Sequence, residues 1–225
     1  MNKIIYFDFE TSDINPTTCL PLQIAAAVVD VEDSDYPILD GGLFVSYILP
    51  HIENEDGSHQ PIEESHVMDI NFIKDSALKK NGIKREDILG FPDEKVVWDN
   101  FAKFCGAFKH DGELPVPSGW NILNYDLIIC DRLNKRYKTK RYFHENNTID
   151  LMNLDWIFRR KDLEYSGRSF DAARLHFGLT LEDEEQTHTA DVDVKQGVKL
   201  LRRYLQFIDK QAKRNKYFKG AFNVK

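Results

Sequence analysis

Two apolar segments near the start of the chain restrict its fold more than any other feature. Residues 3–9 and 22–31 are almost continuously hydrophobic, and short runs of this kind are typical of strands that are buried on both faces of a sheet. Between them, residues 12–21 contain Asp, Asn and two Pro, which is the composition of a loop. Residues 43–49 have the composition of a third strand. The sequence therefore predicts that the chain opens with an antiparallel meander.

Helices are predicted for most of the remaining chain. Apolar residues recur at helical spacing in several segments, namely residues 63–81, 94–108, 127–138, 170–177 and 189–208, and a further helix is predicted to begin at residues 149–152. Residues 115–121 predict a short strand or turn, whereas the polar residues 51–61 predict a mobile surface loop. Strands followed by helices that alternate with a strand or two indicate one mixed α/β domain.

Length and composition indicate the size and class of the protein. A chain of 225 residues, 42% of them hydrophobic, fits one well-filled domain. We predict a single domain over residues 1–225, with a core at about 3–205 and a basic extension at about 206–225. No apolar run approaches the roughly 20 residues that span a bilayer, and the first residues lack the pattern of a secretory leader. The three cysteines are far apart in the sequence, which predicts reduced thiols in a cytoplasmic protein without membrane contact.

The charge distribution allows contact with nucleic acid although the net charge is −7. Residues 132–141 contain six basic residues without an acidic one after Asp131, and residues 202–225 contain eight basic residues against the single acid Asp209. Phosphate contacts respond to the local field rather than to the net charge. A solvated helix face followed by a soluble tail explains either run equally well.

Asp8 and Glu10 form a pair of acids inside the first predicted strand. Side chains two apart in a strand project to the same face, so both carboxylates share an apolar environment. Two ionised acids in such a place repel each other and lose hydration. A divalent cation such as Mg²⁺, which prefers oxygen ligands, relieves both costs; the alternative is that the strand has ended and both acids face solvent.

Three further residues are ambiguous when taken singly. Asp126 begins a predicted helix, where Asp is a favoured capping residue. His188 and Asp193 lie at the start of the last predicted helix, and Asp191 competes with Asp193 as a functional acid. Together, these acids and Asp8 and Glu10 form a set that a small α/β sheet can gather at one edge. Such a set can hold two metal ions about 3.5–4 Å apart around a phosphate, and an imidazole can deprotonate the attacking water.

These residues resemble the three motifs of the DEDDh exonucleases, a family that includes the proofreading epsilon subunit of bacterial DNA polymerase III, oligoribonuclease and ribonuclease T. Residues 7–11 (Phe-Asp-Phe-Glu-Thr) resemble the first motif, residues 119–126 the second, and residues 188–193 the third. The resemblance covers residues 3 to about 205, and the spacing of the third motif favours Asp193 over Asp191. Asp150 resembles a structural acid that is common between the second and third motifs.

The resemblance implies a fold, a reaction and a set of site residues. The fold is ribonuclease H-like, an α/β arrangement with a five-stranded mixed sheet flanked by helices. The reaction is hydrolysis of DNA or RNA from the 3′ end to nucleoside 5′-monophosphates. Two Mg²⁺ ions, or Mn²⁺ in their place, are held by four acids, and His188 is the general base; the acids are Asp8, Glu10, Asp126 and Asp193. Substrate-binding residues are Thr11, Ile14 and Asn121.

Parts of the chain depart from the pattern and leave other functions open. Residues 51–91 do not match the family cleanly and are able to reshape the substrate groove. One alternative is a trimming or proofreading exonuclease that works inside a polymerase or another nucleic-acid-processing complex. A second is a nucleic-acid-binding module without catalysis, and a third is a metal-dependent phosphoesterase for small molecules. The sequence does not distinguish DNA from RNA, because recognition of the 2′-hydroxyl depends on one or two contacts.

Overall fold

A five-stranded mixed sheet forms the centre of the molecule. The computed structural model describes residues 3–144, 146–161, 169–180 and 189–214. The sheet has the order β3-β2-β1-β6-β7, with the bounds β1 Ile4–Thr11, β2 Pro21–Val29, β3 Ile38–Tyr47, β6 Val116–Gly119 and β7 Ile149–Asp150. The first three strands are antiparallel, whereas β6 and β7 run parallel to β1. The predicted fold class, including the opening meander, is confirmed.

Seven α-helices connect and cover these strands in the described part of the chain. They are α1 Glu64–Met68, α2 Asp75–Asn81, α3 Glu94–Ala107, α4 Asp126–Tyr137, α5 Leu151–Arg159, α6 Phe170–His176 and α7 Ala190–Arg214. Short 3₁₀ helices lie at Arg85–Gly90 and Ile122–Asn124. The last helix continues to Arg214, beyond the predicted end of the core. Among the described residues, no helix has the length and apolar composition that crossing a membrane requires.

The alternation of side chains along β1 divides the core into two layers. Ile5, Phe7 and Phe9 point to one face and pack with α3 and α4. Ile4 and Tyr6 point to the opposite face and pack with α7. Because side chains two apart share a face, Asp8 and Glu10 are on the α7 side. The position of the two acids therefore follows from the pattern of buried residues in the strand.

Residues 51–91 form a small unit of their own at one end of the sheet. Its buried residues pack with Leu20 and Leu22 in a third apolar cluster, to which the unit contributes Ile62, Val67, Ile73, Leu78, Ile83 and Ile88. The prediction of a mobile loop at residues 51–61 was wrong, because a hairpin joins β4 (His51–Glu53) to β5 (His59–Pro61). The turn of this hairpin is closed by the Asn54 amide, which donates to the Ser58 carbonyl at 2.8 Å.

The helical segment predicted at residues 63–81 is two helices. Asp69 ends α1, and its carboxylate accepts a hydrogen bond from the Asn71 amide at 2.8 Å. An Asp side chain that bonds the backbone two residues ahead offers the chain an alternative to helix. This turn allows α2 to leave in a new direction and to reach the end of β1.

Candidate active site

The end of β1 is open on one side, and this opening positions Asp8 and Glu10. The parallel pairing of β1 with β6 stops at Tyr6 and Ser118, whereas β1 continues to Thr11. Gly119 then turns the chain away, and its missing side chain matters because a Cβ would lie 2.9 Å from the Phe7 carbonyl oxygen. The two acids therefore project beside the turn that leads into α4, at the point where the sheet changes from antiparallel to parallel.

Asp193 reaches the same point from the other end of the chain. The start of α7 is tied to β2, because the Gln23 side-chain oxygen accepts a hydrogen bond from the Ala190 amide at 3.1 Å. Asp8, Glu10 and Asp193 each offer one carboxylate oxygen, and these three atoms lie within 4.8 Å of one another. Three acids from the two ends of the sequence therefore form a group of the size that holds a metal ion.

Asp126 lies beside this group in the first turn of α4. Its carboxylate is buried and accepts a hydrogen bond from the Phe9 amide at 3.1 Å. The residue therefore does not act as a simple helix cap, since its partner belongs to β1 between the two acids. Asp126 lies near enough to Asp8 for its negative charge to disfavour ionisation of Asp8. The structure thus brings all four predicted acids together around the end of β1, the central strand of the sheet.

Burial and mutual repulsion govern the electrostatics of the four acids. Burial raises the pKa of Asp8 well above its ordinary value, with further increases from Asp126 and Glu10. Burial and then Asp193 raise the pKa of Glu10 to about 8. Burial raises the pKa of Asp126 to about 7, although the Phe9 amide opposes this change. Acids in this state suit divalent cations, because bound metal charge removes the repulsion and replaces the lost hydration.

The acids lie in a cavity of about 590 Å³. All three predicted substrate-binding residues, Thr11, Ile14 and Asn121, line the same cavity. Ile14 is 86% exposed, and Asn121 has a left-handed backbone with φ of 56°. The Thr11 hydroxyl contacts the Tyr125 hydroxyl at 2.5 Å, and the Tyr125 hydroxyl donates to the Asp13 carbonyl at 2.7 Å. This network fixes the loop that presents Ile14 to the cavity.

His188, the predicted general base, lies outside the described residues. The first described residue after it is Thr189, which precedes α7 and accepts a hydrogen bond from the Asp193 amide at 3.0 Å. The assignment of His188 therefore stays a prediction.

Asp150, the predicted structural acid, and Asp191, the competitor of Asp193, have partners of their own. Asp150 caps α5, because its carboxylate accepts hydrogen bonds from the Met152 amide at 2.9 Å and the Asn153 amide at 3.4 Å. Asp191 pairs with Lys195 one turn later at 3.3 Å. These contacts give both carboxylates a role within the protein, although the charge of Asp150 still raises the pKa of Asp126.

The sequence reasoning missed several residues at the site. Gln23 and Tyr125 fix the backbone around the acids, and a wall of the cavity comes from α2, which includes Lys80 and Asn81. Tyr125 lies within the second motif, whereas no local pattern marks the other three residues, because their roles depend on contacts between distant segments. The only signal was the departure of residues 51–91 from the family pattern.

The basic run at residues 132–141 is partly neutralised within the protein. Lys135 pairs with Asp131 at 2.6 Å, and Arg136 pairs with the buried Glu94. The Arg132 guanidinium donates to the carbonyls of Pro16 at 2.8 Å and Cys19 at 2.9 Å. These contacts weaken the case for this run as a phosphate-binding surface, because much of its charge already has partners.

Comparison with known proteins shows likeness in structure alone. No protein-family model matches the chain, and no curated protein matches its sequence. Solved structures that match include E. coli exonuclease I with a dA16 oligonucleotide, at a TM-score of 0.60 and 16% identity over 98% of this chain and 45% of that chain. The same enzyme with a dT13 oligonucleotide matches at a TM-score of 0.64 and 16% identity over 98% of this chain and 46% of that chain.

A second matching protein is cell-death related nuclease 4, with a TM-score of 0.65 and 15% identity over 92% of this chain and 64% of that chain. The chain thus spans less than half the length of exonuclease I and 64% of cell-death related nuclease 4. At such low identity the likeness shows a common fold. The fold is the ribonuclease H-like arrangement of these nucleases.

Proposed function

We propose that this protein is a metal-dependent 3′→5′ exonuclease of the DEDDh type, which releases nucleoside 5′-monophosphates from single-stranded DNA or RNA. The observation that carries the proposal is the convergence of Asp8, Glu10 and Asp193, whose carboxylate oxygens lie within 4.8 Å of one another beside Asp126. The likeness to exonuclease I with bound oligonucleotides adds support for a single-stranded nucleic acid as substrate. Residues 1–225 form a single exonuclease domain in this assignment.

Each acid has a role in this proposal as a metal ligand. Asp8, Glu10, Asp126 and Asp193 hold two Mg²⁺ ions, or Mn²⁺ in their place. Bound there, the ions supply the charge that activates a water molecule and stabilises the leaving 3′ oxygen. His188 accepts the proton of that water, for which a near-neutral imidazole is suited.

The cavity walls orient the 3′ end of the substrate. Ile14 is exposed although it is apolar, so it offers a surface for the terminal base. Thr11 and Asn121 place polar groups near the sugar and the base. The hydroxyl of Tyr125 holds Thr11 and the carbonyl of Asp13, and thereby the loop between them, in a fixed position.

End-labelled oligonucleotides test the reaction and its direction. With Mg²⁺ or Mn²⁺, a strand labelled at the 5′ end should shorten stepwise, whereas a 3′-terminal label should appear at once as a mononucleotide. Running DNA and RNA in parallel reports the preferred sugar, and hydrolysis of p-nitrophenyl phosphate tests the alternative of a small-molecule phosphoesterase. Persistence of every labelled strand with wild-type protein and either metal would refute the proposal.

The acid pair on α7 provides a matched control for the same assay. Asp193→Asn should reduce cleavage by at least about a hundredfold, because removal of a group that stabilises developing charge has effects of this size. Asp191→Asn changes the same charge two residues away and should leave cleavage within about twofold, since Asp191 pairs with Lys195 on the helix surface. Equal rates for the two variants would contradict the assignment of Asp193.

A further inference from the structure

Helix α2 forms the wall of the cavity beside the open end of β1. Residues from this short helix and its ends line the cavity, namely Lys74, Ser76, Ala77, Lys80 and Asn81. The helix belongs to residues 51–91, the segment that departs from the exonuclease motif pattern. Its side chains therefore include groups that the motifs do not account for.

The helix is fixed to β1 and to the third apolar cluster. Leu78 is buried among Ile73 and Ile83 in that cluster. At the far end of the helix, the Asn81 side-chain amide donates to the Thr11 carbonyl at 3.1 Å. At the start of the helix, the Lys74 amide donates to the Ser12 carbonyl at 3.2 Å. The face opposite Leu78 is thus held toward the cavity.

Two lysines on this wall differ in their partners. The Lys74 ammonium pairs with Asp13 at 2.8 Å. Lys80 is exposed and lies on the same face as Ala77 and Ser76, three and four residues earlier. No ion pair joins Lys80 to a carboxylate within the described ranges. Lys80 nevertheless lines the same cavity as Asp8 and Glu10, so its ammonium shares the cavity with their carboxylates without direct contact.

The Lys80 ammonium and the cluster of acidic side chains line one cavity without touching, which leaves room for an anion between them. A phosphate is suited to this position, because its oxygens accept hydrogen bonds from an ammonium on one side and contact cations held by the carboxylates on the other. We propose that Lys80 binds the 5′-phosphate of the terminal nucleotide and is a substrate-binding residue of the site. This inference rests on the proposed nuclease function, since it takes the terminal nucleotide as the ligand.

The chemistry of this contact defines what Lys80 distinguishes. An ammonium is a compact point charge that contacts phosphate oxygens without reading the sugar or the base. Lys80 should therefore contribute equally to DNA and RNA ends. It should contribute nothing to the binding of a nucleoside, which has no phosphate.

Nucleotide binding measured against nucleoside binding isolates this contribution. The probes are dTMP and UMP, compared with thymidine and uridine, with Kd values measured by calorimetry or NMR titration in Mg²⁺. Lys80→Met should weaken binding of both nucleotides by roughly two- to fivefold, the range expected for an exposed charge pair, and leave nucleoside binding unchanged. Lys80→Arg should retain most of the affinity because it keeps the charge.

Lys79→Met is the matched control, because Lys79 is the adjacent exposed lysine on the same helix and does not line the cavity. It should bind nucleotides and nucleosides like wild type. Equal nucleotide affinities for Lys80→Met and Lys79→Met would overturn the inference while leaving the nuclease proposal intact. Equal losses for nucleotides and nucleosides would also overturn it, since they would indicate a structural role. A wild-type protein that neither binds nucleotides nor shortens oligonucleotides would refute both proposals together.

Discussion

Gly197 of α7 packs directly against the ring of Tyr6 in β1. A Cβ on Gly197 would lie 2.1 Å from the Tyr6 Cζ atom. Tyr6 precedes Asp8 by two residues on the same face of β1, and Gly197 follows Asp193 by one turn on the same face of α7. This contact therefore sets the distance at which Asp193 approaches Asp8.

Replacement of Gly197 by Ala should separate α7 from β1. Overpacking of a buried contact costs about 1–3 kcal/mol of unfolding free energy, and the shift should displace Asp193 and reduce metal-dependent cleavage. Chemical denaturation and the end-label assay measure the two effects. Gly106→Ala in α3 is the control, because a Cβ there meets nothing within 4 Å, and it should be neutral or stabilising. Wild-type stability of Gly197→Ala would contradict the close approach.

The raised pKa values predict that the metal-free protein loses stability as the pH rises. Burial and nearby acids raise the pKa of Glu10 from its usual 4.5 to about 8, so the native state retains a proton that the unfolded chain has released between these values. Protonation favours the native state in this window, and stability falls toward its upper end. Divalent cations should stabilise the protein most near pH 8, where the acids ionise.

Thermal melting from about pH 5 to about pH 8, in EDTA and in Mg²⁺, measures this linkage. Glu10→Gln serves as the comparison, because it removes one of the titrating acids and should make the decline in EDTA less steep. Identical pH profiles for wild type and Glu10→Gln would show that the native environment does not disfavour the ionised acid.

The side chain of Gln23 links strand β2 to the start of α7, and its removal should loosen that link. Gln23→Met preserves size but removes the oxygen that accepts from the Ala190 amide. A buried amide left without a partner costs about 1–3 kcal/mol, and the freed helix start should weaken Mn²⁺ binding through Asp193. Denaturation and Mn²⁺ titration check both effects. Gln206 is exposed on α7, so Gln206→Met should change neither the stability nor the affinity for Mn²⁺. Equal behaviour of the two variants would contradict the link.

Loss of the Tyr125 hydroxyl should weaken substrate binding but not metal binding. Tyr125→Phe removes the hydroxyl that holds Thr11 and the Asp13 carbonyl, so the loop carrying Ile14 should loosen and KM for an oligonucleotide should rise by roughly three- to tenfold, as expected for one net hydrogen bond. Tyr137→Phe removes a hydroxyl that donates to Glu94 at 2.7 Å, away from the cavity. That control should leave KM unchanged, and a similar KM for both variants would argue against the loop's role.

The sequence predicted the central strands because their buried residues are local signals. It missed the hairpin at residues 51–61, since polar residues with a Gly resemble a loop until pairing partners are known. It also placed the third strand at residues 43–49, whereas β3 begins at Ile38. The first half of that strand contains Asp40, Gly41 and Gly42, which have low strand propensity and therefore do not predict a strand. Pairing with β2 overrides their weak strand propensity.

Prediction of the site followed the same division between local and distant information. Strand periodicity alone placed Asp8 and Glu10 on one face. The preference for Asp193 over Asp191 required the family motif, and the structure brings Asp193 to the other acids. Lys80 and Gln23 could not be assigned, because their positions beside the acids depend on the packing of segments far apart in the chain.

Direct titration with Mn²⁺ tests the central claim that acids from three distant segments share metal ions. Electron paramagnetic resonance at about pH 8, where the raised pKa values place the acids near ionisation, reports bound and free Mn²⁺ without any substrate. We predict saturable binding by the wild-type protein and by Asp191→Asn, with a large loss of affinity in Asp8→Asn and Asp193→Asn. Absence of saturable binding to the wild type, or equal binding by all four proteins, would contradict the account.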